Sequence, residues 1–85
     1  MTYEIEIKSS AQKELTKLPR SIANKVIQNI RELANDPRPS GCKKLVGTEY
    51  AYRIRINNYR VVYSIFDQQL VIQVIKIAHR KEVYK

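Results

Sequence analysis

The chain is poor in the features that would take it out of the class of small globular proteins. It has one cysteine in 85 residues, and a lone thiol at Cys42 cannot close an internal disulfide, so a disulfide-stapled secreted scaffold is excluded. No apolar run approaches the ~18 residues needed to span a bilayer. The opening residues MTYEIEIKSS alternate polar and apolar, unlike the continuous apolar centre of a signal peptide. There is no internal repeat, no low-complexity tract and no linker long enough to separate domains. The sequence holds no Cys/His cluster, and its carboxylates are scattered, so no metal or other cofactor is expected. Residues 1–85 therefore read as a single cytoplasmic domain without a membrane partner. A domain of this size buries only roughly 60% of its unfolded surface, too little for a large interior cavity.

Acidic residues are also scarce. Eight Asp and Glu stand against sixteen Lys and Arg, a net charge of +8, while an apolar fraction of 44% is that of a folded chain. A balance this basic favours a polyanionic partner. The excess is lopsided: residues 1–42 carry a net +2 and residues 43–85 a net +6.

The first half reads as a strand and two helices. Tyr3, Ile5 and Ile7 alternate with Glu4, Glu6 and Lys8, the period of a half-buried strand. Ser9 and Ser10 offer an N-cap, and Ala11, Leu15 and Leu18 form a short amphipathic stripe stopped by Pro19. A second helix opens at Pro19-Arg20-Ser21 and carries Ile22, Ala23, Val26, Ile27, Ile30, Leu33 and Ala34 on one face. So short a join predicts a helical hairpin. The turn formers of 35–41 end this half.

The second half reads as β. Tyr50, Tyr52, Ile54 and Ile56 alternate with Ala51, Arg53 and Arg55, and Asn57-Asn58 suits a two-residue type I′ turn. Tyr59 to Phe66 is the next strand, Asp67-Gln68-Gln69 the next turn. Leu70 to Ala78 is almost continuously apolar, as in a central strand buried on both faces. The expected fold is α+β in the order β-α-α-β-β-β, with the helices on one face of a mostly antiparallel four-stranded sheet.

A two-residue loop at Asn57-Asn58 sets Ile56 opposite Tyr59, Arg55 opposite Arg60 and Ile54 opposite Val61. Arg53, two residues from Arg55, shares their side of the sheet. Like charges directly opposite are destabilising, where an aromatic or β-branched pair contributes roughly 0.2–1 kcal/mol. Three such groups on one patch make sense as a phosphate site, because guanidinium offers a rigid fork of donors. The tail His79-Arg80-Lys81-Glu82-Val83-Tyr84-Lys85 follows the last strand, with the only His of the chain and a Tyr four residues beyond Arg80.

These residues resemble the RelE/ParE superfamily of toxins, most closely its RelE branch, over nearly the whole chain. The marks are Tyr3-Glu4-Ile5, Ala11-x-Lys13-x-Leu15-x-x-Leu18, Lys44-Leu45-x-Gly47, Tyr52-Arg53-Ile54-Arg55-Ile56, Tyr59-Arg60-Val61-Val62-Tyr63 and His79-Arg80-Lys81-Glu82-Val83-Tyr84. Together their order and spacing are fairly specific.

The resemblance implies a toxin of a type II toxin–antitoxin system that enters the ribosomal 30S A site and cuts mRNA there. It would be held inactive by a RelB-like antitoxin, through which the complex could reach operator DNA. It implies a catalytic set of Arg53, Arg55, Arg60, Arg80 and Tyr84. Lys43, Lys44 and Lys81 would hold RNA or the ribosome. The best-known member has Lys where this chain has Arg53 and Arg55, and Arg, with a pKa above ~12, cannot serve as a general base. That leaves Tyr84 or His79 for proton transfer. Two other readings stand beside this one: a ParE-like toxin that poisons DNA gyrase, and a non-catalytic nucleic-acid-binding module.

Overall fold

A computed structural model of the protein describes residues 2–79. The elements are β1 (Glu4–Ile7), α1 (Ser9–Lys17), α2 (Arg20–Leu33), β2 (Lys43–Lys44), β3 (Ala51–Ile56), β4 (Tyr59–Phe66) and β5 (Val71–His79). They form one sheet in the order β1-β5-β4-β3-β2, with β1 parallel to β5 and the other pairs antiparallel. The expected α+β layering holds, with one strand more than expected. Lys43 and Lys44 pair with Arg53 and Tyr52, and a strand of two residues has no period by which the sequence could show it.

The helix boundaries follow from neighbours more than from caps. Ser9 and Ser10 do not cap α1 but lie inside it; Lys8 occupies the cap position and no side chain caps there. The Lys8 amide already donates to the Val74 carbonyl (2.9 Å), so pairing with β5 runs up to the first helical turn. Leu18 is extended, with ψ 148°, as the ring of Pro19 requires of the residue before it. Pro19 in turn opens α2, its carbonyl accepting from the Ala23 amide at 2.9 Å.

The core lies between the helices and one face of the sheet. Val26, Ile30 and Leu33 of α2, spaced i, i+4, i+7, are buried with Ala11 of α1 against Ile54, Ile56, Val61, Tyr63, Ile65, Ile72, Val74 and Ile77. The loop Asn57-Asn58 joins β3 to β4, but only Asn57 takes a positive φ (53°), so it is not the type I′ turn expected, which needs two.

β5 departs from simple alternation at one point. Val62 faces Lys76 while its neighbour Tyr63 faces Val74, so Ile75 is an extra residue in β5. Ile72 and Val74 point to the core before this bulge and Ile77 after it. Without the bulge Lys76 would share the parity of Ile72 and Val74 and enter the core; with it, Lys76 is exposed on the other face. The strand is therefore interior to the sheet but not buried on both faces as expected.

A polar clamp ties the loop after α2 to the far end of the sheet. Arg38 donates to both carboxylate oxygens of Asp67 (2.8 and 3.3 Å) and to the Tyr52 hydroxyl (3.3 Å), with its guanidinium 5.1 Å from the centre of the Tyr52 ring. The Tyr3 hydroxyl donates to Asp67 Oδ1 at 2.6 Å, and the buried Tyr63 donates to the Pro37 carbonyl at 2.8 Å. Hydrogen bonds from Arg38, then that from Tyr3, hold the Asp67 carboxyl below the usual carboxylate range. The same bond to Asp67 pushes the Tyr3 phenol up, and burial does so to Tyr63.

A carboxylate with a depressed folded pKa adds stability above its ordinary value of about 3.9, and loses it as pH falls through the folded value. Urea midpoints taken from about pH 7 to about pH 2 should therefore fall more steeply on the acid side for wild type than for Asp67→Asn. Parallel acid limbs would show that the clamp contributes nothing.

Candidate nucleic-acid interface

The helices cover one face of the sheet; the other carries none of the described helices, and on it Arg55 and Lys76 are exposed while Arg60, Ser64 and Ala78 are buried. Residue parity assigns the open face. The alternation that buries Ile54, Ile56, Val61 and Tyr63 turns Arg53, Arg55, Arg60 and Val62 the opposite way. The pairing expected of the hairpin is present: Ile56 with Tyr59, Arg55 with Arg60, Ile54 with Val61.

Following the register across all strands resolves the basic residues into two rows. Arg55, Arg60 and Ala78 make one; Lys43, Arg53, Val62 and Lys76 make the other. Adjacent strands lie about 4.8 Å apart, and rows two residues apart are separated by about 6.8 Å along the strand. Arg60 is 2% exposed, set in the central strand beside small Ala78. A guanidinium so withdrawn from water acts through a lower effective dielectric than exposed Arg55 does. The face has an acidic limit as well, because Glu4 and Glu6 of β1 pair with Val71 and Gln73 and lie exposed on the same side.

Among the described residues the ion pairs are Lys17 with Glu14 (3.5 Å) and Arg38 with Asp67 (2.8 Å). Neither neutralises Lys43, Arg53, Arg55 or Lys76. A cleft of about 470 Å³ opens beside these rows, between α2 and the outer edge of β3. Glu32 and Asp36 face it opposite Lys43 and Arg53, so it is a mixed-charge groove and a poorer place for a phosphate than the sheet face. Among the described residues no three His, Cys, Asp or Glu are grouped to hold a metal. No helix there is long and apolar enough to cross a membrane.

The expected site residues divide accordingly. Arg53, Arg55, Arg60 and Lys43 share the open face. Lys44, paired with Tyr52, belongs to the helical side. His79 pairs with Tyr59, its ring edge-on at 5.3 Å between centroids, on the parity of Val61 and Ile77. It is thus turned away from the arginine rows. Arg80, Lys81 and Tyr84 lie outside the described residues. Lys76 belongs to the site but was not among the expected residues; its one signal in the sequence is a cation inside the apolar run 70–78.

The family described as the ParE toxin of the type II toxin–antitoxin system parDE matches residues 5–84. The mRNA interferase toxin RelE of Escherichia coli K12 is 31% identical, over 99% of this chain and 92% of its own length. This chain belongs to the RelE/ParE toxin superfamily, in its RelE-like branch. Solved RelE structures agree. RelE in the archaeal RelE–RelB complex from Pyrococcus horikoshii OT3 superposes with a TM-score of 0.85 at 32% identity, covering 94% of this chain and 97% of that one. A double arginine-to-alanine mutant of E. coli RelE in the free state gives 0.82 at 30% identity, over 99% and 92%. The two rows therefore belong to a RelE-like toxin of a type II toxin–antitoxin system.

The Arg55–Arg60 apposition is expected to cost stability. Arg55→Gln should raise the unfolding free energy by roughly 0.2–1 kcal/mol in low salt, with the gain shrinking as salt screens the pair. Denaturant curves showing no gain at any ionic strength would mean that the two groups do not repel.

Proposed function

We propose that this RelE-like toxin is a ribosome-dependent endoribonuclease that cuts mRNA in the A site and so stops translation. The observation that carries the reading is exposed Arg55 directly opposite buried Arg60 on the sheet face away from the helices, with Arg53 one row away. A fold selected for stability alone gains nothing from that arrangement, whereas guanidinium groups set side by side offer forks of donors matched to phosphate oxygens. The E. coli relative of matching length is named an mRNA interferase, which supports the same chemistry.

The RNA provides its own nucleophile in this mechanism. The 2′-hydroxyl loses its proton to a general base and its oxygen attacks the adjacent phosphorus. The bond from phosphorus to the 5′-oxygen breaks, and that oxygen takes a proton from solvent. The products are a 2′,3′-cyclic phosphate and a free 5′-hydroxyl, and the route asks for no metal. Arg60 and Arg80 stabilise the dianionic phosphorane, an effect worth roughly 2.7–4 kcal/mol per well-placed donor in other enzymes. Arg55 and Arg53 orient the phosphate and the backbone beside it. β5 brings the chain to the arginine end of the face, since Ala78 pairs with Arg60, and residues 80–84 follow it in sequence. Tyr84, outside the described residues, is the base in this reading, since a phenol ionises more easily where cations are near. His79 is the weaker alternative because it is turned to the helical side.

The regulatory partner is a RelB-like antitoxin. Relatives from P. horikoshii and E. coli have been solved as RelE–RelB complexes. A chain of net charge +8 suits an acidic, partly disordered partner that folds as it wraps the toxin. Such a toxin acts in the cytoplasm, where ribosomes are. The matching family carries the ParE name, so gyrase inhibition is the second reading.

Mapping mRNA ends after incubation with translating ribosomes separates the two. The ribonuclease reading expects cuts in the A-site codon bearing 5′-hydroxyl ends. Tyr84→Phe should slow cleavage about 10²–10⁴-fold, and Arg60→Ala should slow it by about 10² or more. Intact message together with inhibited gyrase supercoiling would replace it with the ParE-like reading, and 5′-phosphate ends would exclude the 2′-hydroxyl route. Full cleavage by Tyr84→Phe would remove that residue from the mechanism.

A further inference from the structure

The two rows on the open face are not equivalent, and the second holds a residue that the reaction above does not use. Lys76 is the one charged residue in the run Val71-Ile72-Gln73-Val74-Ile75-Lys76-Ile77-Ala78. Lys is depleted in strands, and a strand chosen only for packing would carry a β-branched residue there. The bulge at Ile75 alone keeps this lysine out of the core. Bulges occur where a side chain must be re-aimed, often beside a functional site. Here the bulge delivers a cation to the row of Lys43 and Arg53, on the far side of half-buried Val62.

The surroundings favour an anion above Val62. Arg53 and Lys76 flank it from the two neighbouring strands, each about 4.8 Å away at the backbone, and both side chains are long enough to bend over it. None of Lys43, Arg53 and Lys76 has a carboxylate within ion-pair distance among the described residues. Crowding a third cation into the row is unfavourable unless an anion joins it. The neighbouring row of Arg55 and Arg60 lies about 6.8 Å further along β4, a step that suits consecutive phosphates of an extended single strand. In the other direction the face turns acidic: Glu6 and Glu4 lie at the β1 end of the rows of Ser64 and Phe66. An anionic chain following β4 thus meets two cationic rows and then is repelled.

The geometry points to a second phosphate site, formed by Lys43, Arg53 and Lys76 over Val62, that holds a phosphate flanking the one cleaved at Arg55 and Arg60. The site rests on the ribonuclease reading and sharpens it. The sheet grips two consecutive phosphates, and Lys76 is the chain's own contribution to the second.

The test uses ribosomes programmed with messages carrying one uncharged methylphosphonate, placed at either phosphate flanking the cut. In wild type one of the two substitutions should slow cleavage about tenfold, the loss expected for one charge-assisted contact. Lys76→Met should cleave the unmodified message about tenfold more slowly and be indifferent to that same methylphosphonate. Lys76→Arg should restore both the rate and the sensitivity. Lys25→Met, which removes a charge from the wet face of α2, should keep the wild-type sensitivity. Equal sensitivity in wild type and Lys76→Met at both flanking positions overturns the second site while leaving the nuclease intact. Loss of sensitivity in Lys25→Met as well would reduce the effect to net charge and overturn it too. A wild type that leaves the unmodified message whole overturns the ribonuclease reading itself.

Discussion

The register of the β3–β4 hairpin is the constraint on which the rest depends. A two-residue connection at Asn57-Asn58 leaves one pairing, in which Ile54 meets Val61 and Arg55 meets Arg60. A slip of one residue would exchange faces along a whole strand, sending arginines into the core and isoleucines into water. Asn57 makes the tight connection possible by taking φ 53°, a region that Asn tolerates better than most side chains. Hydrophobic burial on one face and charge crowding on the other are thus two consequences of a single pairing. The core enforces the register, and the register enforces the proximity of the arginines whether or not they repel.

The second strand pair works differently. Between β4 and β5 the pairing changes by one residue at Ile75, so the two halves of β5 obey opposite parities. An unbroken strand would have forced a choice between burying Ile72 and Val74 and burying Ile77 with Lys76 exposed. The bulge achieves both, at the cost of one irregular residue in the ladder. The sheet is therefore built in two phases: a regular hairpin that sets Arg53, Arg55 and Arg60, and an irregular one that brings β5 alongside with its own cation.

Much of this is legible in the sequence because it rests on local signals. Alternation from Tyr52 to Ile56, the Asn-Asn pair and the i, i+4, i+7 stripe of Val26, Ile30 and Leu33 each act within a few residues. What escapes is either too short or too distant. Lys43-Lys44 has no period to read. Ser9 and Ser10 look like caps, but pairing of Lys8 with Val74 decides the boundary, a contact spanning most of the chain. The Arg38–Asp67 clamp joins residues 29 apart and has no motif. Lys76 and His79 escape for one reason: a bulge changes which face a residue occupies without changing the residues around it. A run such as Val74-Ile75-Lys76-Ile77 fits either parity.

Arginine at positions 53 and 55 has a further chemical consequence. Both rows hold cations that keep their protons across the physiological range, so the sheet can supply charge but not proton transfer. A permanently protonated site is also one whose electrostatics do not vary with pH. Any pH dependence of the reaction must then originate outside the arginines, in a group that titrates. In the proposed reaction this divides the labour: the sheet from β2 to β5 supplies charge to the RNA backbone, and a separate group supplies proton transfer. The core and the register together fix where that charge sits: burying Ile54, Ile56 and Val61 on one face sets Arg53, Arg55 and Arg60 on the other.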